Sequence, residues 1–328
     1  MLPTHRPCRN RKSEVIRNMV QETRLTTHDF IYPIFITEGQ NQTEEIKSMP
    51  GIHRFTADRV IDEIGACVRL GIKAFAPFPN INEVLKDPMA RESTNLDGLY
   101  LKAVADIKRQ FPEVVIMTDV AMDPYSSDGH DGVVDPDSGE ILNDASLEVL
   151  GQMALAQAHA GADIIGPSDM MDGRVAWIRR VLDENGFSHV SIMSYTAKYA
   201  SAFYGPFRDA LASAPKRGDK KSYQMNPANR LEALRELALD EAEGADMVMV
   251  KPALSYLDII REVKNHTHLP VTAYNVSGEY AMIKAAAQNG WVDGERTMME
   301  VLTSIKRAGA DAILTYFAKD AAAVLQRG

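Results

Sequence analysis

The chain has 328 residues, 45% of them hydrophobic, and a formal net charge of −9. That apolar content is enough to bury a large core, and α/β barrels of this length commonly form a single domain. The negative charge, without a concentrated basic patch, argues against a nucleic-acid-binding protein. No apolar run reaches about 18 residues, so the sequence predicts no membrane span.

Cysteine usage and the N-terminal sequence narrow the class further. The two cysteines, Cys8 and Cys67, are too few for a disulfide framework or a cysteine-rich zinc site. The basic N-terminus lacks the apolar segment of a signal peptide. A cytoplasmic enzyme is the simplest interpretation.

The first predicted element is an N-terminal arm. Residues 1–30 precede the first apolar run and carry polar side chains with few signs of a core. We expect this segment to be extended and to pack on a neighbouring subunit rather than on its own domain. The prediction therefore includes a homo-oligomer.

Short apolar runs alternate with helical patterns after the arm. The runs are almost continuously apolar, as is typical of strands covered by helices. They lie at 31–36, 74–79, 114–120, 163–168, 190–195, 247–252, 270–275 and 312–317. The helical patterns lie at 57–70, 97–110, 145–160, 172–185, 227–243, 256–265 and 295–308.

The sequence Gly-Ala-Asp recurs before three of the runs, at 161–163, 244–246 and 309–311. Glycine fits the left-handed conformation that ends a helix before the chain turns into a strand. The repeated order of helix, glycine and strand predicts a TIM (β/α)8 barrel over 31–328, as a single catalytic domain. A doubly wound open sheet is the alternative, and the lack of GxGxxG after a strand weakens it.

Two lysines stand at the ends of apolar runs. Lys251 ends the run in MVMVKPALSY, and Lys198 follows the run VSIMSY. Burial disfavours the ammonium form and lowers the pKa of a lysine, which gives a neutral amine near pH 7. Such an amine can attack a ketone and form a Schiff base, whereas a surface lysine at a strand end has no such role. Two amines in one pocket suit chemistry on two carbonyl substrates.

Other polar side chains lie at or just beyond the carboxyl ends of the same runs. They are Asp119, Ser168, Tyr195, Tyr274, Ser277 and Tyr316. In a barrel these strand ends meet at one mouth, where active sites form. We expect these side chains to converge there with the two lysines.

Two long loops follow strand ends, at about 121–143 and 205–226. The first is rich in aspartate, which suits hard cations such as Mg²⁺, although aspartate also favours solvated turns. The second is polar and basic, and we predict that it forms a lid that attracts a carboxylate substrate. A solvated basic loop has the same composition.

A helix predicted at 227–243 starts with Asn226 as its N-cap and Pro227 at its first position. Glu232, Glu236 and Asp240 then stack at intervals of four residues, which is a repulsive spacing. A bound cation would relieve the repulsion, although water and salt usually do so.

These motifs together resemble the porphobilinogen synthase family, also called delta-aminolevulinic acid dehydratase. The resemblance implies a TIM barrel with an N-terminal arm, usually assembled as a homo-octamer. It implies the condensation of two 5-aminolevulinate molecules into porphobilinogen with loss of two waters. The strings that carry it span about 25–325 and are DVAMDPYSSDGHDG, GPSDMMDGRV, SYTAKYASAFYGPFRDA, KKSYQMNP, GADMVMVKPALSYLDI, AYNVSGEY and ILTYFA.

The resemblance also implies roles for single residues. Lys251 forms the Schiff base with the substrate that gives the propionate side, at the P site, and Lys198 does so with the second substrate, at the A site. The residues implied at the P-side carboxylate are Ser277 and Tyr316. Those implied at the A-side carboxylate are Arg208, Lys220 and Gln224. Those implied to line the pocket are Tyr274, Ser168 and Phe207.

The sequence departs from the zinc-dependent members of this family, which carry three cysteines after the third strand. The matching positions are Ala121, Asp123 and Asp131, so a thiolate zinc site is impossible. The chain is similar to the aspartate-rich, magnesium-responsive branch, in which Glu236 matches the ligand of an allosteric Mg²⁺, with Asp169 close by. Whether Asp123 and Asp131 hold a catalytic metal or transfer protons is open at this point, as is the identity of the general base.

Two other functions are weighed against this one. A class I aldolase would use a single Schiff-base lysine on a barrel, and the second lysine argues against it. A catalytically silent oligomeric scaffold would keep the fold alone, and the intact Lys198, Lys251, Ser277 and Tyr316 argue against it.

Overall fold

Eight parallel strands close into a barrel in the computed structural model, within residues 3–211 and 213–327, which are those that the structure describes. Numbered along the chain, the strands are β1 (Phe30–Thr37), β2 (Thr43–Glu45), β3 (His53–Thr56), β4 (Ala74–Asn80), β5 (Val115–Val120), β6 (Ile164–Pro167), β7 (Ser191–Lys198), β8 (Met247–Lys251), β9 (Val271–Asn275) and β10 (Ala312–Thr315). All but β2 and β3 belong to the barrel.

The barrel closes because its last strand pairs with its first. Phe30 and Ile31 of β1 lie opposite Ile313 and Leu314 of β10, and every other barrel strand pairs in parallel with its neighbours along the chain. Most residues of these strands are buried. This is expected for apolar strands whose inner face packs in the barrel core and whose outer face is covered by helices. The predicted TIM barrel is confirmed, and closure rules out the open sheet.

Helices follow the N-terminal segment and the strands, and most of those after β1 cover the outside of the barrel and connect its strands. They are α1 (Glu14–Met19), α2 (Ala57–Arg69), α3 (Leu99–Gln110), α4 (Asn143–His159), α5 (Arg174–Glu184), α6 (Gly205–Leu211), α7 (Leu231–Ala242), α8 (Leu257–His266), α9 (Ser277–Gln288), α10 (Gly294–Ala308) and α11 (Ala318–Gln326). Each predicted helix is present, whereas α1, α6, α9 and α11 were not predicted. Among the described residues, no helix combines the length and apolarity needed to cross a bilayer.

The start of α7 differs from the prediction. The helix begins at Leu231, not at Pro227, because Asn226 caps a turn instead of a helix. Its side-chain oxygen accepts the amide of Ala228 at 2.9 Å, and its carbonyl accepts the amide of Asn229 at 2.9 Å. Asparagine favours both structures by the same hydrogen bond, so the sequence alone does not separate them.

The Gly-Ala-Asp repeats end helices and also bind the amino ends of strands. Gly161, Gly244 and Gly309 have φ of 99°, 99° and 127°, which confirms their predicted role at the helix ends. The aspartate that follows accepts a strand amide: Asp246 binds the amide of Ile192 and Asp311 that of Val271, both at 2.7 Å. Each repeat therefore fastens one strand to the strand before it at the bottom of the barrel.

The N-terminal segment presents an exposed apolar surface. Helix α1 buries none of its residues, and Val15 and Met19 are 77% and 72% exposed. Such a surface is compatible with packing on another subunit. The division into an arm over 1–30 and a barrel over 31–328 stays a prediction.

The hairpin of β2 and β3 joins the carboxyl end of β1, with Phe35 opposite Arg54. Arg54 donates to the backbone carbonyls of Asp209 and Ala210 at 2.8 and 2.7 Å. The hairpin thereby supports α6, which occupies the start of the segment predicted as a lid loop.

Candidate active site

The two lysines stand side by side at the mouth of the barrel. Lys198 ends β7 and Lys251 ends β8, and their Cα atoms are partners in the register of the two strands. A register shift between Ser194 and Ala197 aligns the two ends. Both side chains are buried, at 6% and 7% exposure. Two amines therefore share one cavity.

Aromatic rings surround the Lys251 amine. Its Nζ atom lies 4.6 Å from the ring centre of Tyr274, 5.2 Å from those of Tyr195 and Tyr204, and 5.3 Å from that of Phe207. Burial and the charge of Lys198 lower the pKa of Lys251 to about 7, although nearby aspartates oppose the shift. A large fraction of this amine is therefore neutral at physiological pH.

The Lys198 amine sits in a polar network instead. It donates to Asp131 at 3.1 Å and also to the backbone carbonyl of Ser168. Asp131 accepts from Lys220 at 2.7 Å as well, and Lys220 reaches Asp123 at 3.1 Å. One carboxylate thus bridges two ammonium groups.

Charge compensation sets the protonation of this network. Burial opposes ionisation of Asp131, but Lys198 and Lys220 outweigh it and lower its pKa. Burial likewise opposes the charge of Lys220, yet Asp123 and Asp131 raise its pKa. For Asp123, burial prevails and raises the pKa despite Lys220. Asp131 is therefore an anion held in place rather than a free base.

Asp119 is differently placed. It lies near the carboxyl end of β5, and its residue is partly exposed. Burial raises the pKa of Asp119 to about 6, while Lys251 and Lys198 pull it down. A carboxylate with this pKa can both take and return a proton near neutral pH.

Hydroxyl groups gather on the Lys251 side of the mouth. The hydroxyls of Tyr274 and Tyr316 are 2.9 Å apart. The hydroxyl of Ser277 accepts the amide of Phe207 at 3.0 Å and contacts the carbonyl of Phe203 at 3.4 Å. The start of α9 is thereby joined to α6.

Sequence comparison then places the chain among known proteins. A profile of the family described as Delta-aminolevulinic acid dehydratase matches residues 4–324. The chain belongs to this family. A relative named delta-aminolevulinic acid dehydratase from Bradyrhizobium diazoefficiens is 54% identical over 98% of the chain and 91% of its own length. Another from Synechococcus elongatus is 53% identical, over 98% of the chain and 99% of its length.

A solved structure agrees with this placement in the dehydratase family. It is the delta-aminolevulinic acid dehydratase of Toxoplasma gondii, determined in complex with the reaction product porphobilinogen. The two structures superpose with a TM-score of 0.97 at 50% sequence identity, covering 98% of this chain and 92% of the other. The family and the fold that the sequence predicted are both confirmed.

The remaining predicted residues of this dehydratase lie at different distances from the lysines. Gln224 is buried in the segment after α6, and its side-chain oxygen has no hydrogen-bond partner among the described residues. Arg208 lies on α6, half-exposed. Phe207 packs edge-on against Phe78, at 5.1 Å between ring centres, beside the Lys251 amine.

Glu236 lies outside the mouth. It lines a cavity of about 1290 Å³ together with Glu232 and Asp172. Burial raises the pKa of Glu236, Arg174 opposes the shift, and the neighbouring acids Asp240, Asp172 and Glu232 add to it. Asp169 is fully buried nearby, and burial raises its pKa to about 7. Asp123 and Asp131 are not among the residues that line this cavity.

Two residues that fasten the lid had no predicted role. His130 donates from Nε2 to the carbonyl of Arg217 at 2.9 Å, and its Nδ1 forms a hydrogen bond with the hydroxyl of Tyr223 at 3.1 Å. That hydroxyl also accepts the amide of Asp131 at 3.3 Å. In the sequence, His130 is only one member of the acidic loop at 121–143. Nothing in the basic segment at 205–226 indicates that Arg217 and Tyr223 are its partners.

Proposed function

We propose that the chain is a porphobilinogen synthase, which condenses two molecules of 5-aminolevulinate into porphobilinogen and releases two waters. The observation that carries the proposal is the pair of buried amines, Lys198 and Lys251, at partner positions on neighbouring strands. A class I aldolase needs one such amine, whereas two suit two ketone substrates. The relative solved with porphobilinogen supports the same reaction.

The chemistry begins with two imines. Each substrate ketone condenses with one lysine amine and releases one water. Lys251 starts with an advantage, since its amine is neutral in a large fraction of molecules near pH 7. Lys198 starts as the partner of Asp131. The two lysines hold the substrates in neighbouring positions, and such proximity is worth up to roughly 7–11 kcal/mol.

The two bound substrates then react with each other. Loss of a proton beside one imine gives an enamine, whose carbon attacks the other imine carbon and forms the carbon–carbon bond. The adjacent carbon then loses a proton as one carbon–nitrogen bond to lysine breaks, which forms a carbon–carbon double bond and releases that amine. The amino group of one substrate attacks the remaining imine carbon, closes the ring and releases the other lysine. Removal of a last proton gives the aromatic pyrrole.

Asp119 is our candidate for the group that takes the last proton. Asp131 is held by two ammonium groups and Asp123 by one, so both are engaged in ion pairs. Asp119 forms no such ion pair among the described side chains, and burial raises its pKa to about 6. A base with this pKa matches the task better than a strongly acidic one.

The substrate carboxylates would bind on opposite sides of the lysine pair. Ser277 and Tyr316 present hydroxyl groups on the Lys251 side, which suits the P-side carboxylate. Arg208, Lys220 and Gln224 lie on or next to the lid, which suits the A-side carboxylate. Tyr274, Ser168 and Phe207 complete the walls.

The proposed Mg²⁺ belongs at Glu236 rather than in the mouth. Asp123 and Asp131 already balance their charge with Lys220 and Lys198, so they do not fit a catalytic cation. Glu236 fits a hydrated Mg²⁺, which commonly uses one or two carboxylates and several waters, and its acidic neighbours Glu232 and Asp172 favour positive charge there. Within residues 3–211 and 213–327, no group of three or more His, Cys, Asp or Glu side chains forms a complete protein cage.

The proposal also covers assembly and location. The apolar surface of α1 supports an arm that packs on a second copy, and we propose a homo-octamer in the cytoplasm. The net charge of −9 argues against nucleic acid as a partner, because nucleic-acid binding depends on positively charged side chains.

Borohydride trapping with 5-aminolevulinate, followed by peptide mass spectrometry, tests the function. Reduced adducts on both Lys198 and Lys251, together with porphobilinogen formation, are the expected result. An adduct on Lys251 alone without porphobilinogen would favour the aldolase. Absence of both the adducts and porphobilinogen would favour the silent scaffold.

A further inference from the structure

Glu279 is a fully buried carboxylate at the start of α9, with 0% exposure. One of its oxygens accepts the amide of Leu254 at 2.8 Å. The other accepts the amide of Val276 at 3.0 Å and the side-chain amide of Asn275 at 2.9 Å. Each of these donors is uncharged, so no cation balances the buried acid directly.

The donors belong to the ends of two strands, β8 and β9, and a further bond links them to the end of β10. Leu254 follows Lys251 by three residues, and Val276 precedes Ser277. Asn275 ends β9 and accepts the hydroxyl of Thr315 at 2.9 Å, next to Tyr316. A single carboxylate therefore joins the backbone beside three residues assigned to the P site.

The other half of the mouth is built without Glu279. Lys198 is held by Asp131 and the carbonyl of Ser168, and the lid is fastened by Lys220. None of these groups hydrogen-bonds to Glu279 or to its donors among the described residues. A disturbance at Glu279 should therefore reach one lysine before the other.

A buried acid is costly unless its hydrogen bonds repay the lost hydration. Here burial raises the pKa of Glu279 to about 7 although several donors pull it down. An amide or an apolar side chain would avoid that cost but could not accept bonds from both directions. The need to receive three donors at once explains why an acid occupies the position.

We propose that Glu279 is a positioning residue that fixes the P-site half of the mouth, placing Lys251, Ser277 and Tyr316 for the first imine while leaving the Lys198 half unaffected. The inference rests on the proposed function, because it assumes that both lysines form imines with 5-aminolevulinate. It concerns geometry alone, since Glu279 lies behind the strand ends and has no role in the proposed proton transfers.

The test is the ratio of the two trapped adducts in Glu279→Gln. Glutamine keeps the shape but turns an amino group toward donors on one side. A misplacement of about 1 Å can cost roughly 10²-fold in rate, so we expect Lys251 trapping by 5-aminolevulinate and borohydride to slow at least about tenfold. Lys198 trapping should stay within about twofold. Asp311→Asn is the matched control, because it weakens a carboxylate bond to the same strand β9 at the opposite end of the barrel.

A second variant covers the case in which Glu279→Gln does not fold. Thr315→Val removes the outer link to Asn275 and the bond that its hydroxyl accepts from the Phe317 amide, but leaves the donors to Glu279 in place. It should slow Lys251 trapping selectively by a smaller factor. Equal slowing of both lysines, or no change at Lys251 in both variants, would overturn the positioning role. Absence of both adducts in the unmodified enzyme would overturn the proposed function itself, which separates the two failures.

Discussion

The reactivity of Lys251 comes from what its amine lacks. Four aromatic rings surround it, and no described side chain gives it a carboxylate partner at hydrogen-bond distance. Lys198, one strand away, has Asp131 at 3.1 Å. Two lysines of identical chemistry therefore start from different states because their surroundings differ in polarity.

The rate of imine formation at Lys251 should depend on pH in a defined direction. Burial and the charge of Lys198 lower its pKa to about 7, so the reactive neutral form is lost as the pH falls below 7. We expect the trapping rate at Lys251 to fall about tenfold per pH unit below that point and to level off above about pH 8. Single-turnover trapping across pH 5–10 measures this. A rate that keeps rising to pH 10 would show an ordinary lysine.

Removing the Lys251 amine should abolish turnover. Lys251→Ala is expected to lower kcat on the order of 10³-fold or more, because losing a nucleophile that acts with partners costs far more than losing one contact. The fold should persist, since a lysine buried without a counter-charge is itself costly. Product assays with circular dichroism check both statements. Substantial activity in the variant would refute the assigned role of Lys251.

At the level of elements, the lid is an ordered cover. It is held by the Lys220 ion pairs, by the bond from His130 to the Arg217 carbonyl, and by support of α6 from the hairpin through Arg54. Because these contacts come from separate segments, the lid can open without disturbing the barrel strands. Opening of the lid would allow the substrates to enter and the product to leave.

Lys220 and Lys221 provide a matched pair for testing the lid. Lys220 is buried between Asp123 and Asp131, whereas the side chain of Lys221 is 75% exposed beside Asp219. Lys220→Met should raise KM at least about tenfold and lower the melting temperature, since it leaves buried carboxylates unpaired. Lys221→Met should change both little. Similar effects of the two substitutions on KM would refute a specific role for Lys220.

The contact between α9 and the segment before α6 leaves no room for a side chain at Gly278. A Cβ atom there would lie 2.5 Å from the Phe203 carbonyl oxygen. Gly278→Ala should therefore destabilise the protein by about 1–3 kcal/mol and weaken substrate binding by displacing Ser277. Gly205→Ala, where a Cβ would meet nothing within 4 Å, is the control. Urea unfolding and KM measurements test both effects. Equal stability of the two variants would show that the backbone near Phe203 moves to accommodate the added methyl group.

Across the whole molecule, the barrel was predictable because its signal is repeated. Almost continuous apolar runs, helical patterns and Gly-Ala-Asp repeats each occurred several times and agreed. The convergence of Lys198 and Lys251 followed from topology, since parallel strands end at the same mouth. Elements marked by one ambiguous residue were harder: Asn226 fits a helix cap and a turn equally, and Ser277-Gly278 hid the start of α9.

The hydrogen bonds and ion pairs within the site were less predictable than the identity of the residues that form it. No pattern shows that Asp131 bridges Lys198 and Lys220, because these residues lie on three separate segments of the chain. The role of Glu279 had a local signal, an acid three residues into a helix whose carboxylate reaches back to the chain before it. Its bond to Leu254 depends on how two strand ends are placed in space.

The proposed Mg²⁺ effect concerns the whole molecule, because Glu236 lines a cavity to which neither Lys198 nor Lys251 contributes. A cation there would neutralise the acids Glu232, Glu236 and Asp172 without touching the lysines, so its effect must reach the mouth through the fold or the subunit contacts. We expect Mg²⁺ to raise activity in the unmodified enzyme and Glu236→Ala to lose that response while retaining basal turnover. Glu241→Ala, on the same helix but outside the residues that line the cavity, should keep it.

Activity and sedimentation measured across one Mg²⁺ titration would test this coupling. If assembly carries the effect, Mg²⁺ should shift the unmodified enzyme and Glu241→Ala towards the larger species as activity rises, and Glu236→Ala should show neither change. A full Mg²⁺ response in Glu236→Ala would place the cation elsewhere. Stimulation without any change in sedimentation would keep the Glu236 site but route its effect within one subunit, through Asp240 and Arg174, whose 2.6 Å ion pair joins α7 to α5.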